Sequence, residues 1–169
     1  MKHVEDFKVE IKNAINEKLK EMGVFLKYSI KLSGYNNISL NIKSSKIDFK
    51  DNIIKKIESR IERLENINPS LHEEEILALK YELRIINAID PDSLYNREIK
   101  CPFSLSYSGR NILGMFYSGD ALEVLEMIYD VVDKVIKDWH EPDERVNYLN
   151  IPFRFNLSIG DNKGGYIVK

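Results

Sequence analysis

The chain has 169 residues, 43% of them hydrophobic and 31% charged, with a net charge of −2. That balance predicts one globular domain over residues 1–169 and excludes a disordered or strongly basic chain. A lone cysteine, Cys101, excludes an internal disulfide. The charged N-terminus and the lack of an uncharged apolar run of about 18 residues predict a cytoplasmic protein without a secretory leader or membrane span.

From Glu5 to Met22, the residues Phe7, Ile11, Ala14, Ile15, Leu19 and Met22 recur at spacings of three and four. That period predicts a helix with one apolar stripe, ended by Gly23. In "VFLKYSIKLSGYNNISLNI", Tyr28, Ile30 and Leu32 alternate with Ser29, Lys31 and Ser33, and Ile38, Leu40 and Ile42 alternate with Ser39, Asn41 and Lys43. Period-two alternation around Gly34 and Asn36-Asn37 predicts a hairpin with one packed and one polar face.

Asp48 stands where a cap would open a second helix, striped by Ile53, Ile54, Ile57, Ile61 and Leu64 and broken near Pro69. Ser70 with Glu73 reads as a capping box for a third helix on Leu71, Ile76, Leu79, Leu83 and Ile86. Together these two helices predict an antiparallel αα-hairpin. After the connector "DPDSLYNREIKCP", the segment "FSLSYSGRNILGMFYS" reads as a second hairpin. A broad apolar face from Leu122 to Trp139 predicts a central fourth helix opened at Gly119-Asp120. Finally Phe153, Phe155, Leu157 and Ile159 alternate with Arg154, Asn156 and Ser158, and a turn at Gly160 to Gly165 leads to Tyr166–Val168, a third hairpin. The predicted class is α+β: an antiparallel sheet made of hairpins, packed by about four helices including the αα-hairpin in the middle.

"YSIKLSGYNNI" and "FSLSYSGRNI" share an aromatic-Ser start, a Ser-Gly turn and a closing Asn-Ile. Two readings fit: a duplicated ββα unit over 24–66 and 102–140, or convergence on common turn chemistry.

Chemistry-bearing constellations are sparse. His3, His72 and His140 have no second His or Cys at ligand spacing, and "HEEEI" has Ile76 where a zinc-protease helix needs His. Cys101 has no histidine near it, the serines of "SLSYSGRN" form no nucleophile elbow, and "GDNKGGY" lacks phosphate-loop spacing. His140, beside Glu141, Asp143, Glu144 and Arg145, is the one acid–base candidate, although a helix C-terminus also favours a histidine there. The expectation is a non-enzymatic protein with no catalytic residue, metal or cofactor.

Binding remains. Residues 1–60 carry 13 Lys/Arg against 8 Asp/Glu, whereas residues 61–169 carry 12 against 19. Lys27, Lys31, Lys43 and Lys46, interleaved with Tyr28 and Tyr35, could follow a phosphate backbone and stack a base. Alternatively the hairpin tips, Tyr35, Asn36 and Asn37 on the first and Arg110 and Asn111 on the second, would anchor a protein partner.

The helix followed by "KYSIKLSGYNNISLNI", over residues 5–48, resembles the small α+β accessory domains associated with large polyvalent proteins of phages and conjugative elements. The resemblance implies a phage or mobile-element origin, to which abundant Lys, Ile and Asn, with their AT-rich codons, are suited. It implies a binding protein, of which an anti-CRISPR-like inhibitor of a host defence complex, acting by surface blocking, is one form. The alternative is a nucleic-acid-binding accessory protein that uses the basic N-terminal half.

Overall fold

The computed structural model describes residues 4–34, 37–87, 110, 113–139, 154–160 and 166–169. The first apolar stripe forms helix α1 (Val4–Met22), with Phe7, Ile11, Ile15 and Leu19 buried. Gly23 ends it at φ 67°, a left-handed conformation that costs glycine nothing. There the Val24 N–H reaches back to the Leu19 carbonyl at 3.0 Å and the Gly23 N–H to Lys20 at 3.2 Å, closing the last turn.

Strands β1 (Leu26–Ser33) and β2 (Asn37–Ser45) pair antiparallel, with a bulge between Lys27 and Tyr28 that leaves Lys43 as the extra residue on β2. Helix α2 (Phe49–Ile67) starts at Asp48, whose carboxylate accepts the Asp51 N–H at 2.9 Å, and buries Phe49, Ile53, Ile57, Ile61 and Leu64. Helix α3 (Glu73–Asn87) starts two residues later than a Ser70 cap would place it, and buries only Ile76 and Leu79. It is held against α2 by the Arg60–Glu75 pair and by Lys80 to Glu65 at 2.7 Å. A one-turn helix α4 (Leu113–Phe116) precedes α5 (Gly119–Trp139), whose broad apolar face buries Val124, Leu125, Ile128 and Val132. The chain closes with β3 (Arg154–Ile159) and β4 (Ile167–Val168).

The sheet overturns the expectation of antiparallel hairpins. Its order is β1-β2-β3, with β2 in the centre and β3 parallel to it, so Ile38 faces Phe155, Leu40 faces Leu157 and Ile42 faces Ile159. Among the described residues only β1 and β2 form a hairpin. The third expected hairpin does not exist: β3 and β4 do not pair with each other, and both run parallel to β2, one after the other along the same side. Two bonds mark the continuity, Gly160 N–H to the Ile42 carbonyl at 2.7 Å and Lys169 N–H to Ser45 at 2.9 Å. The second expected hairpin fails where it is described, because Leu113–Phe116 is helical; its residues 103–109 lie outside the described residues, as does most of the connector. A second ββα unit over 102–140 therefore lacks its closing strand. Nor do the middle helices form an αα-hairpin that packs the sheet: α2 supplies a five-residue buried stripe, while α3 leans on α2 and leaves Leu77, Tyr81 and Ile85 exposed. Five helices, rather than about four, are present among the described residues.

Alternation gives the sheet two unlike faces. Tyr28, Ile42 and Ile159 form one apolar row, Ile30, Leu40 and Leu157 the next, and Leu32, Ile38 and Phe155 the third. Helices α1 and α5 cover this side, through Tyr28 to α1 and through an edge-to-face contact of Tyr129 with Phe155 at 5.2 Å. Phe49 joins the bottom of the core to Tyr117 and Tyr166, again edge to face.

Candidate functional site

The three rows shared by β1, β2 and β3 on the opposite face are polar, and beyond them the row of Lys27 and Ser44 ends at the exposed Ile167 of β4. Ser29, Asn41 and Ser158 make one row, Lys31, Ser39 and Asn156 the next, and Ser33, Asn37 and Arg154 the third. Lys27 extends the face along β1, about 13 Å from Lys31 at the usual rise per residue, and the bulge turns Lys43 and Ser44 to the same side. Lys27, Lys31, Ser33, Arg154 and Asn156 are exposed, Ser29, Asn37, Ser39, Asn41, Lys43 and Ser158 are half-buried, and Ser44 is buried. None of the described residues of the face is acidic. Four cations therefore stand among hydroxyl and amide groups on a flat three-stranded surface, although the whole chain has a net charge of −2.

Among the described residues of the three strands, no aromatic ring lies on this face. Tyr28, expected either to stack a base or to join the core, does the latter. Its hydroxyl donates to Asn16 Oδ1 at 2.8 Å and lies 3.2 Å from the Lys12 carbonyl, and burial pushes its pKa up to about 12. Tyr35 and Asn36 lie outside the described residues, as does Asn111. Asn37 is the first residue of β2 and is half-buried between Ser33 and Arg154. Arg110 grips Asp130 of α5 with both ends of its guanidinium, Nε to Oδ1 at 2.5 Å and Nη2 to Oδ2 at 2.9 Å. The Asp130 carboxylate raises its pKa further, chiefly by that hydrogen bonding. Arg110 is thus tied to a helix and remains partly exposed. Of the four lysines, Lys27, Lys31 and Lys43 share the polar face, and Lys46 stands apart in the turn between β2 and α2.

That turn borders a cleft of about 500 Å³ between Gly23–Phe25, Lys46–Asp48, the start of α2 and Ser118–Ala121. Several of its polar groups are engaged in holding the fold. Asp48 caps α2, Asp51 pairs with Lys55 at 2.7 Å, and Asn52 both donates to the Ser118 carbonyl (3.1 Å) and accepts the Ser118 N–H (2.9 Å). Nearby, the Ser45 hydroxyl accepts the Ile47 N–H at 2.9 Å and meets the Tyr166 hydroxyl at 2.5 Å, which also donates to the Ile47 carbonyl at 2.6 Å. Desolvation raises the Tyr166 pKa. No histidine or cysteine is among the described residues that line this cleft.

Among the described residues no group of three or more His, Cys, Asp or Glu is placed to hold a metal, and no helix is long and apolar enough to cross a membrane. His72 lies 3.8 Å from Glu75 at the start of α3. Cys101 and His140 lie outside the described residues.

Sequence reasoning found Lys27, Lys31 and Lys43 but missed Arg154, Asn156 and Ser158, which share their face. The alternation of "RFNLSI" was visible; its parallel pairing with β2, which carries these side chains to the lysines, was not. No protein-family model, curated protein or solved structure matches this chain.

Proposed function

We propose that this chain is a non-enzymatic binding protein whose contact surface is the open face of the sheet, and that its partner is a nucleic-acid backbone. The observation that carries the reading is the acid-free face on which Lys27, Lys31, Lys43 and Arg154 stand among Ser29, Ser39, Asn41, Asn156 and Ser158. Lysine, arginine, serine and asparagine are the side chains that hydrogen-bond phosphate oxygens. A protein partner is less well served, because protein contacts concentrate their energy in buried aromatic anchors and the described residues of this face include none. With backbone contacts from the described strand residues and no ring among them to stack a base, binding would be largely insensitive to sequence and strongly dependent on salt.

The resemblance of residues 5–48 and the abundance of Lys, Ile and Asn support a phage or mobile-element origin. In that setting a chain that occupies nucleic acid, or the nucleic-acid site of a host defence complex, would act by blocking.

Fluorescence anisotropy with labelled single-stranded and duplex oligonucleotides tests the reading. Wild-type protein should bind at about 50 mM salt and lose at least about tenfold in affinity by about 200 mM. Replacing Lys27, Lys31 and Arg154 together with alanine should abolish most binding and lower the slope of log affinity against log salt by about 2–3. Absence of wild-type binding at the low salt concentration would reject the nucleic-acid partner.

A further inference from the structure

Helix α3 carries a second surface, independent of the sheet. Its buried side, Ile76 and Leu79, faces the core. On its outer side Leu77 is 61% exposed, Tyr81 64% and Ile85 48%, with the small Ala78 between them. Spacing of three and four residues aligns these into one stripe. Ile67 at the end of α2 and Leu71 in the turn before α3 are exposed as well. Single exposed apolar residues need no explanation, but a stripe aligned on one helix does.

Charge decides what fits it. Glu74 lies in line with the stripe at the acidic first turn of α3, and Arg84 lies in line with it at the basic last turn. Both are exposed, and neither has an ion-pair partner among the described residues, whereas Glu75 and Lys80 on the inner side are paired to α2. Stripe positions 74, 77, 81 and 84 follow the alternating three- and four-residue spacing of a helix-pairing seam. In an antiparallel pairing of two such helices, the register that sets Leu77 of one copy against Tyr81 of the other also sets Glu74 against Arg84, at both ends. A parallel pairing would set Glu74 against Glu74 and Arg84 against Arg84. The stripe is therefore complementary to itself, as a two-fold interface requires. Its acidic first turn and net negative outer surface oppose an anionic membrane.

We infer that α3 is the seam of a homodimer in which two copies pack antiparallel through Leu77, Tyr81 and Ile85, closed at each end by a Glu74–Arg84 ion pair. One helix per side covers less than the roughly 1,200 Å² typical of stable complexes, so the dimer is expected in the micromolar range. It leaves the polar sheet face of each copy free.

Sedimentation velocity from about 1 to 200 µM reads the result, with circular dichroism to check that each variant keeps its helix. Wild type should shift from monomer to dimer across this range, and Leu77→Glu should remain monomeric throughout. Glu74→Arg alone and Arg84→Glu alone should each weaken self-association at least about fivefold, because each places like charges at both ends. Mixing these two variants should restore a dimer, since the mixed pair has opposite charges at both ends. A wild type that stays monomeric at 200 µM overturns the proposal in favour of a foreign partner. So does a dimer that Leu77→Glu leaves intact, or one that the mixed charge variants fail to re-form.

Discussion

At residue scale, Tyr28 ties β1 to α1 through its bonds to Asn16 and to the Lys12 carbonyl. Its alternation with Ile30 and Leu32 assigned it to the packed face from sequence alone; its partners on α1 were not legible, because nothing local specifies which helix turn lies above a strand. Burial holds its pKa at about 12 against 10.0 when unfolded. Between those values the folded chain keeps a proton that the unfolded chain has released. The stabilisation is therefore complete below pH 10 and is lost as pH rises through 12. Urea denaturation of wild type and Tyr28→Phe across this range checks it. The phenylalanine variant should be less stable by about 1 kcal/mol at neutral pH, and the gap should shrink, then close, as the medium becomes alkaline. A gap that stays constant would show that the phenol keeps an ordinary pKa in the fold.

At element scale, the long helices were legible and the short pieces were not. Nineteen residues of three-four spacing leave α1 and α2 no alternative reading, whereas the four residues of α4 are compatible with helix or strand. Only packing resolves that ambiguity, and here it does so through Leu113 and Phe116, both buried. The junction is secured by Asn52 of α2, whose amide satisfies both backbone groups of Ser118 at the mouth of α5. Because the site is partly buried, Asn52→Ala would leave both groups without this partner at a cost of about 1–3 kcal/mol. Gly119, next in the chain at φ 54°, adds a second constraint, and Gly119→Ala should cost about 1–2 kcal/mol by forcing a side chain into left-handed space. Thermal denaturation of each variant measures the two costs. If Asn52→Ala were neutral, the α2–α5 junction would be held by packing alone.

At the scale of the whole molecule, the polar face proposed for binding depends on a pairing that spans most of the chain. Alternation marks which residues of "RFNLSI" are polar, but it is the same for a parallel and an antiparallel neighbour, so strand direction had to come from elsewhere. Direction matters to function: parallel pairing sets Arg154 beside Asn37 and Ser158 beside Asn41, whereas an antiparallel strand would carry Arg154 to the other end of the face. Two engineered cysteine pairs separate the cases, made with Cys101→Ser so that no other thiol competes. Asn37→Cys with Arg154→Cys should close a disulfide readily, because the two positions are Cα partners. Asn37→Cys with Ser158→Cys, four residues further along β3, should not, since the positions would be about 13 Å apart along the strand. The closed loop would exceed a hundred residues, so the first cross-link should raise stability by up to about 4–5 kcal/mol, less whatever strain the bridge introduces. The opposite pattern of cross-linking would reverse β3, move Arg154 to the other end of the face, and remove the cluster on which the proposed binding rests.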